Sequence, residues 1–160
     1  MTLPSQSDSS ALTEGAHALS NEPSVRVRLV NCRLERRPSA ISRVVVELSG
    51  PGPDQLIVGQ REGTACPAGD LRLASLATLD AVSKATGGAI HIELIGAKPL
   101  RAFDSNLVVV AAMAHLDGKT TRILGAAIVE DDLLLATSRA TLAAVNRLAS
   151  PLLVGLIDRS

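Results

Sequence analysis

Leu76-Ala-Thr-Leu-Asp-Ala-Val-Ser-Lys-Ala85 returns, little changed, as Arg139-Ala-Thr-Leu-Ala-Ala-Val-Asn-Arg-Leu148, 63 residues further along the chain. Ala77, Thr78, Leu79, Ala81 and Val82 recur as Ala140, Thr141, Leu142, Ala144 and Val145, while Lys84 answers to Arg147 and Ser83 to Asn146. Self-similarity at a fixed spacing marks one supersecondary unit used twice, because a unit too small to bury its own apolar face can bury it against a copy of itself. Both copies carry a helical stripe. Leu71, Ala74, Thr78, Ala81, Val82 and Ala85 share one face, and Leu134, Thr137, Thr141, Ala144, Val145 and Leu148 take the same six places. Residues this small let a helix lie close on a sheet.

The sheet is read outward from those helices. Val25-Arg-Val-Arg-Leu29 alternates apolar and charged residues, the period of a half-buried strand with Arg26 and Arg28 turned outward. Arg33 to Pro38 reads as a basic turn, Arg43-Val-Val-Val-Glu-Leu48 as a second strand closed by Ser49-Gly-Pro-Gly-Pro-Asp54, and Gln55 to Gln60 as a third. After a loop from Arg61 to Gly69, Asp70 is the expected N-cap of a helix to about Ala85, stopped by Gly87-Gly88. In the second unit Val25 to Val30 is matched by Ile90-His-Ile-Glu-Leu-Ile95, and Val44-Val-Val46 by Leu107-Val-Val109. Arg122 to Val129 is its third strand, joined to the second by the hairpin signal Asp117-Gly118. Acidic Glu130-Asp-Asp132 suits a helix N-terminus, and the helix is expected to end before Pro151.

The expected fold is therefore α+β, with two tandem βββα repeats over about 25–88 and 89–150, antiparallel strands, and two helices packed on one face. A Ser-rich leader over residues 1–24, expected to be disordered, precedes this single domain of residues 25–157, whose end from Leu152 to Ile157 reads as a short apolar tail.

Composition narrows the function. The 16 basic and 16 acidic residues of the 160 balance, so no overall field draws nucleic acid or an anionic membrane. Phe103 is the sole aromatic side chain, which removes the stacking platforms that single strands need. Cys32 and Cys66 have no Cys-x-x-Cys spacing, no signal peptide precedes them, and no apolar run reaches membrane-spanning length, so a cytoplasmic protein is expected. His91 and His115 lack a second ligand at metal spacing, Cys66 has no local His or Lys to activate it, and no nucleophile elbow or phosphate-binding loop occurs. Neither enzyme activity, a metal nor a cofactor is expected.

Ala136-Thr-Ser-Arg-Ala140 followed by Ala144-Val-Asn-Arg-Leu148 resembles the last helix of the C-terminal regulatory domain of α-isopropylmalate synthases, with its Ala-Ser-x-x-Ala and Ala-Leu-Asn-Arg-Leu elements. The doubled βββα order over about residues 25 to 150 is similar too. The resemblance implies a dimerisation module that senses leucine, although of that family's Gly-Pro-Val-Asp-Ala motif the first helix keeps only Asp80-Ala81. The catalytic barrel of those enzymes has no counterpart here, so no acyl transfer is implied.

Two segments are the expected ligand site. Arg33, Arg36 and Arg37 stand before Pro38, and Lys98, Arg101, Phe103 and Asp104 form the matching stretch of the second unit, so guanidinium forks meet a proline turn in both. A solvated turn is the plainer reading of such charges. Val45, Val108 and Val110 are expected on the open side of the sheet as the centre of a homodimer interface. The functional expectation is a non-catalytic, metabolite-sensing dimerisation module for a small anionic or amino-acid-like ligand. The alternative is a protein-interaction or scaffold subunit with no ligand.

Overall fold

The computed structural model describes residues 26–157. The proposed leader over residues 1–24 lies outside the described residues. The elements run β1 (Arg28–Arg37), β2 (Ile41–Ser49), β3 (Leu56–Thr64), α1 (Pro67–Ala85), β4 (His91–Ala102), β5 (Ser105–Leu116), β6 (Lys119–Ile128) and α2 (Leu133–Ile157). The fold is α+β with two tandem βββα units, and each unit has its own antiparallel three-stranded sheet, β1-β2-β3 and β4-β5-β6. α1 lies on β2 and β3, α2 on β5 and β6; the helices pack on each other, and each also reaches the first strand of the other unit, α1 to β4 and α2 to β1.

That exchange makes one core out of two units. Val44, Val46 and Leu48 of β2 and Ala77, Ala81 and Val82 of α1 pack in the same cluster as Val145, Ala149 and Leu153 of α2. All six positions of the α1 stripe are buried; in α2 the central four are buried, while Leu134 and Leu148 are half-buried at its ends. The close approach of helix to sheet rests on a glycine in each third strand. A Cβ on Gly59 would sit 2.0 Å from the Ala77 carbonyl oxygen, and one on Gly125 would sit 2.0 Å from that of Ala140. Ala77 and Ala140 are repeat partners, so both units solve the packing in one way.

Local chemistry moves several boundaries. Arg33, Arg36 and Arg37 belong to β1; the turn is Pro38-Ser39-Ala40, with Ser39 and Ala40 in the left-handed region at φ 68° and 54°. β4 likewise runs through Lys98 and Arg101, leaving Phe103 and Asp104 as a two-residue turn with φ 52° and 57°. Positive φ at both central residues is what a tight hairpin requires, and the Asp117-Gly118 turn meets the same demand at 50° and 73°. Asp70 is not the cap of α1. The helix starts at Pro67, a residue suited to the first position because its missing N–H would have had no partner there, and Cys66 is the N-cap, its sulfur accepting from the Gly69 N–H at 3.2 Å. Within the acidic stretch expected before α2, Asp132 is the residue that caps it, accepting from the N–H groups of Leu134 and Leu135 at 2.8 and 3.1 Å.

α2 does not stop at Pro151. It continues to Ile157 with Pro151 inside it, so the short apolar tail expected from Leu152 is the last part of the helix. The proline forgoes one backbone hydrogen bond to the turn before it. Leu153, fully buried in the shared core, offsets that loss by about 1.5–3 kcal/mol.

Candidate functional site

The two outer sheet faces, turned away from the helices, are where the repeats part company. A bulge interrupts the pairing of β1 with β2 between Leu29 and Asn31, and one interrupts β4 with β5 between Leu94 and Gly96. Aligning the bulges sets Val44-Val-Val46 against Val108-Val-Val110, one residue on from the pairing that sequence matching gives. A one-residue slip turns every side chain to the other face. Val108 and Val110 are accordingly wholly buried, packed with Ala136 and Ala140 of α2, and neither lies on the open side as expected. The outward residues of β5 are Leu107, Val109, Ala111, Met113 and His115. Val45 does face outward, the register counterpart of Val109, yet it is only 5 % exposed. Its neighbours across the strands are Arg33 and Gln60, and long polar side chains of that kind cover apolar surface with their stems.

On the first sheet the middle rows are charged and paired among themselves. Glu35, Arg43 and Glu62 stand side by side across the three strands, with Arg43 3.8 Å from each carboxylate; Arg33 is 3.2 Å from Glu47, and Arg37 3.7 Å from Glu62. At the places of Glu35, Arg43 and Glu62 the second sheet has Leu100, Leu107 and Ile128, also side by side. Both sheets are apolar at the bulge, with Val30 and Val58 on one and Ile95 and Leu124 on the other, but only on the second does the apolar surface run on through the middle rows. Leu124 and Ile128 are 64 % and 58 % exposed. A groove of about 310 Å³ crosses this face between Ile95, Leu100, Val109 and Ala111, with Lys98 at its side.

The far end of the same face is polar. His91 and His115 are directly opposite on β4 and β5, ring centres 5.5 Å apart, and the Glu93 carboxylate lies 3.6 and 3.5 Å from their Nε2 atoms. Thr120 on β6 holds Nδ1 of His115 at 3.0 Å. Among the described residues, these or other His, Cys, Asp and Glu side chains form no group of three placed to hold a metal ion. Cys32 is on the inner face of β1, where burial pushes its thiol above the ordinary range, more than the Ser138 hydroxyl lowers it, and Asp132 adds a little to the rise.

The arginines expected to bind ligand are mostly engaged within the chain. Arg36 turns inward and grips the buried Asp70 with both nitrogens, at 2.8 and 3.2 Å, while Arg33 and Arg37 face the carboxylates already named. The two turns crown different sheets, and none of the cavities described here draws residues from both. Lys98 reaches the apolar groove, whereas Phe103 is 97 % exposed at the tip of its hairpin. What the sequence reading passed over is a second group of arginines. Arg26, Arg139 and Arg147 line a cavity of about 560 Å³ between α2 and the start of β1. The substitution of Lys84 by Arg147 and of Asp80 by Ala143 was the available signal. No helix among the described residues is long and apolar enough to cross a membrane. Compared with known proteins, the chain matches no family model, and no curated protein is similar enough to count as a relative.

Proposed function

We propose that the chain is a non-catalytic regulatory module that pairs with a second copy of itself through the outer face of the β4-β5-β6 sheet and senses a small anionic or amino-acid-like metabolite. The observation that carries the pairing is the replacement of Glu35, Arg43 and Glu62 by Leu100, Leu107 and Ile128 at matching places of a duplicated unit. A solvated sheet face has no use for three large apolar side chains in a row, and contiguous patches of this kind usually mark an interface. The face also carries both signs of charge, Glu93 towards one end and Lys98 nearer the middle, so a two-fold axis can set each against its opposite on the second copy. A two-fold pair is the commonest closed assembly of identical chains. The resemblance of α2 to the last helix of α-isopropylmalate synthase regulatory domains supports the same reading.

Sedimentation equilibrium at micromolar concentration tests it. The chain is expected to sediment as a dimer, and Ile128→Glu, which gives the second sheet the residue that the first has in that place, is expected to dissociate it. Val58→Glu adds the same charge to an exposed position of the first sheet and should leave the dimer intact. A monomeric wild type, or equal effects of the two substitutions, refutes the pairing.

A further inference from the structure

Each helix leaves a cavity at the entry to the first strand of the other unit, and the two cavities are built from corresponding positions. The one beside α1, about 200 Å³, is walled by Leu79, Asp80, Ser83 and His91; at the same places the one beside α2, about 560 Å³, has Leu142, Ala143, Asn146 and Arg26. In the first unit the Asp80 carboxylate is gathered by its surroundings. Lys84 Nζ lies 2.9 Å away, Arg61 Nη1 3.1 Å away, and the Gln60 N–H donates to it at 3.2 Å. Burial pushes the Asp80 carboxyl up, but these hydrogen bonds and charges outweigh burial and hold it below the ordinary carboxylate range. The cradle is thus a carboxylate site that the chain fills itself.

In the second unit one of the two cations is kept, the other, Arg61, is replaced by Ala127, and the carboxylate is absent. Arg147 stands where Lys84 does, and Ala143 where Asp80 does. Arg147 and Ala143 also line a further groove of about 520 Å³ along β6, beside Ala126, the register counterpart of Gln60. Arg139 is 3.0 Å from Glu130, but Arg26 and Arg147 make no ion pair among the described residues. Guanidinium forks match carboxylate and phosphate groups in pairs of hydrogen bonds, and a space of this size admits a carbon skeleton as well, for which Leu142 and Ala143 supply an apolar floor.

We propose that the cavity between α2 and β1 binds a small organic oxyanion, a di- or tricarboxylate or a phosphate monoester. Arg147, which also borders the groove along β6 where the first unit has its Asp80 carboxylate, takes one charged group, and the rest of the charge is met by Arg26 and Arg139. This gives the sensing half of the proposed function a location; it rests on that reading only for its regulatory meaning, and it does not require the dimer.

Titration calorimetry on the full chain at low salt, with citrate and with glycerol 3-phosphate as probes, tests the site. At least one probe is expected to bind saturably, one per chain, with affinity reduced tenfold or more by Arg147→Ala and by Arg26→Ala and unchanged by Lys98→Ala. Ala143→Asp is the sharper variant. Position 143 is exposed, so the fold tolerates the side chain, and the new carboxylate should abolish binding without lowering the melting temperature. Binding of citrate alone selects polycarboxylates, binding of glycerol 3-phosphate alone selects phosphate esters, and binding of both selects the shared oxyanion chemistry. Binding of neither, or binding that survives Ala143→Asp and Arg147→Ala, overturns the proposal. Ile128→Glu run in parallel separates the readings, because it is expected to dissociate the pair and leave the titration unchanged.

Discussion

Replacing Gly125 by Ala adds one methyl group where the helix backbone already touches the sheet. The new Cβ would lie 2.0 Å from the Ala140 carbonyl oxygen and 2.5 Å from the Ala144 nitrogen, whereas real Cβ atoms essentially never come within 3.0 Å of such neighbours. The obstacles are main-chain atoms of a long helix, so no side chain can swing aside; α2 must retreat by about 1 Å and open its contact with β5 and β6. Overpacking of this kind costs about 1–3 kcal/mol, and a rigid obstacle puts the cost at the upper end. Alanine returns about 0.4–1 kcal/mol by restricting the unfolded chain, leaving a net loss of about 2–2.6 kcal/mol. For a domain of this size that lowers the melting temperature by on the order of 10 °C. Urea unfolding at fixed protein concentration, with an unchanged slope, is the assay, since association would otherwise enter the measured stability. Gly59→Ala should behave alike. The control is Gly63→Ala, whose Cβ meets only the end of the Leu73 side chain at 3.2 Å and should stay within about 1 kcal/mol of wild type. If Gly125→Ala is no worse than the control, the glycine contact does not set the spacing of helix and sheet.

Two further perturbations follow from the charges. Because the carboxyl of Asp80 is held below its ordinary range in the folded chain, its stabilising effect is complete above the unfolded value, near pH 4, and is lost as the pH falls through the lower folded value. Asp80→Asn should therefore be less stable than wild type at neutral pH and show a shallower loss in acid, seen as converging melting temperatures below about pH 4. Arg36→Ala leaves the buried Asp70 without its two-pronged partner and should cost about 1–3 kcal/mol, against less than about 1 kcal/mol for Arg33→Ala on the outer face, read as urea midpoints.

The repeat was legible because helix packing writes itself into residue size. Ala77, Ala81, Ala140 and Ala144 are small for the reason that Gly59 and Gly125 are, and the glycines could have been found by asking what the alanines lie against. The outer faces were not legible. Val44-Val-Val46 and Val108-Val-Val110 have no alternation to set their phase, and the bulges that fix it, at Val30 and Ile95, are backbone events with no residue signature of their own. The basic stretch around Arg36 looked free because Asp70, its partner, is 34 residues away and was read as a cap. Pro151 is a helix breaker by its own chemistry, and only the burial of Leu153 in a core drawn from both units lets the helix pass it. The second arginine group was hidden for a related reason: Arg26 and Arg147 are far apart in sequence and meet because α2 crosses to β1.

The salt-bridged outer face of the first sheet bears on how far assembly can go. Two adhesive faces on one molecule would let each new copy recruit another, and growth would continue as a filament until the protein was exhausted. Duplicating a unit with a sticky sheet creates that hazard at once, since the gene copy brings its surface with it. Charging the middle rows of one sheet, with Glu35, Arg43 and Glu62 paired to one another, would make that side a chain terminator in the polymer chemist's sense under the proposed pairing. If the second sheet pairs as proposed, a molecule with one adhesive face and one capped face would stop at two.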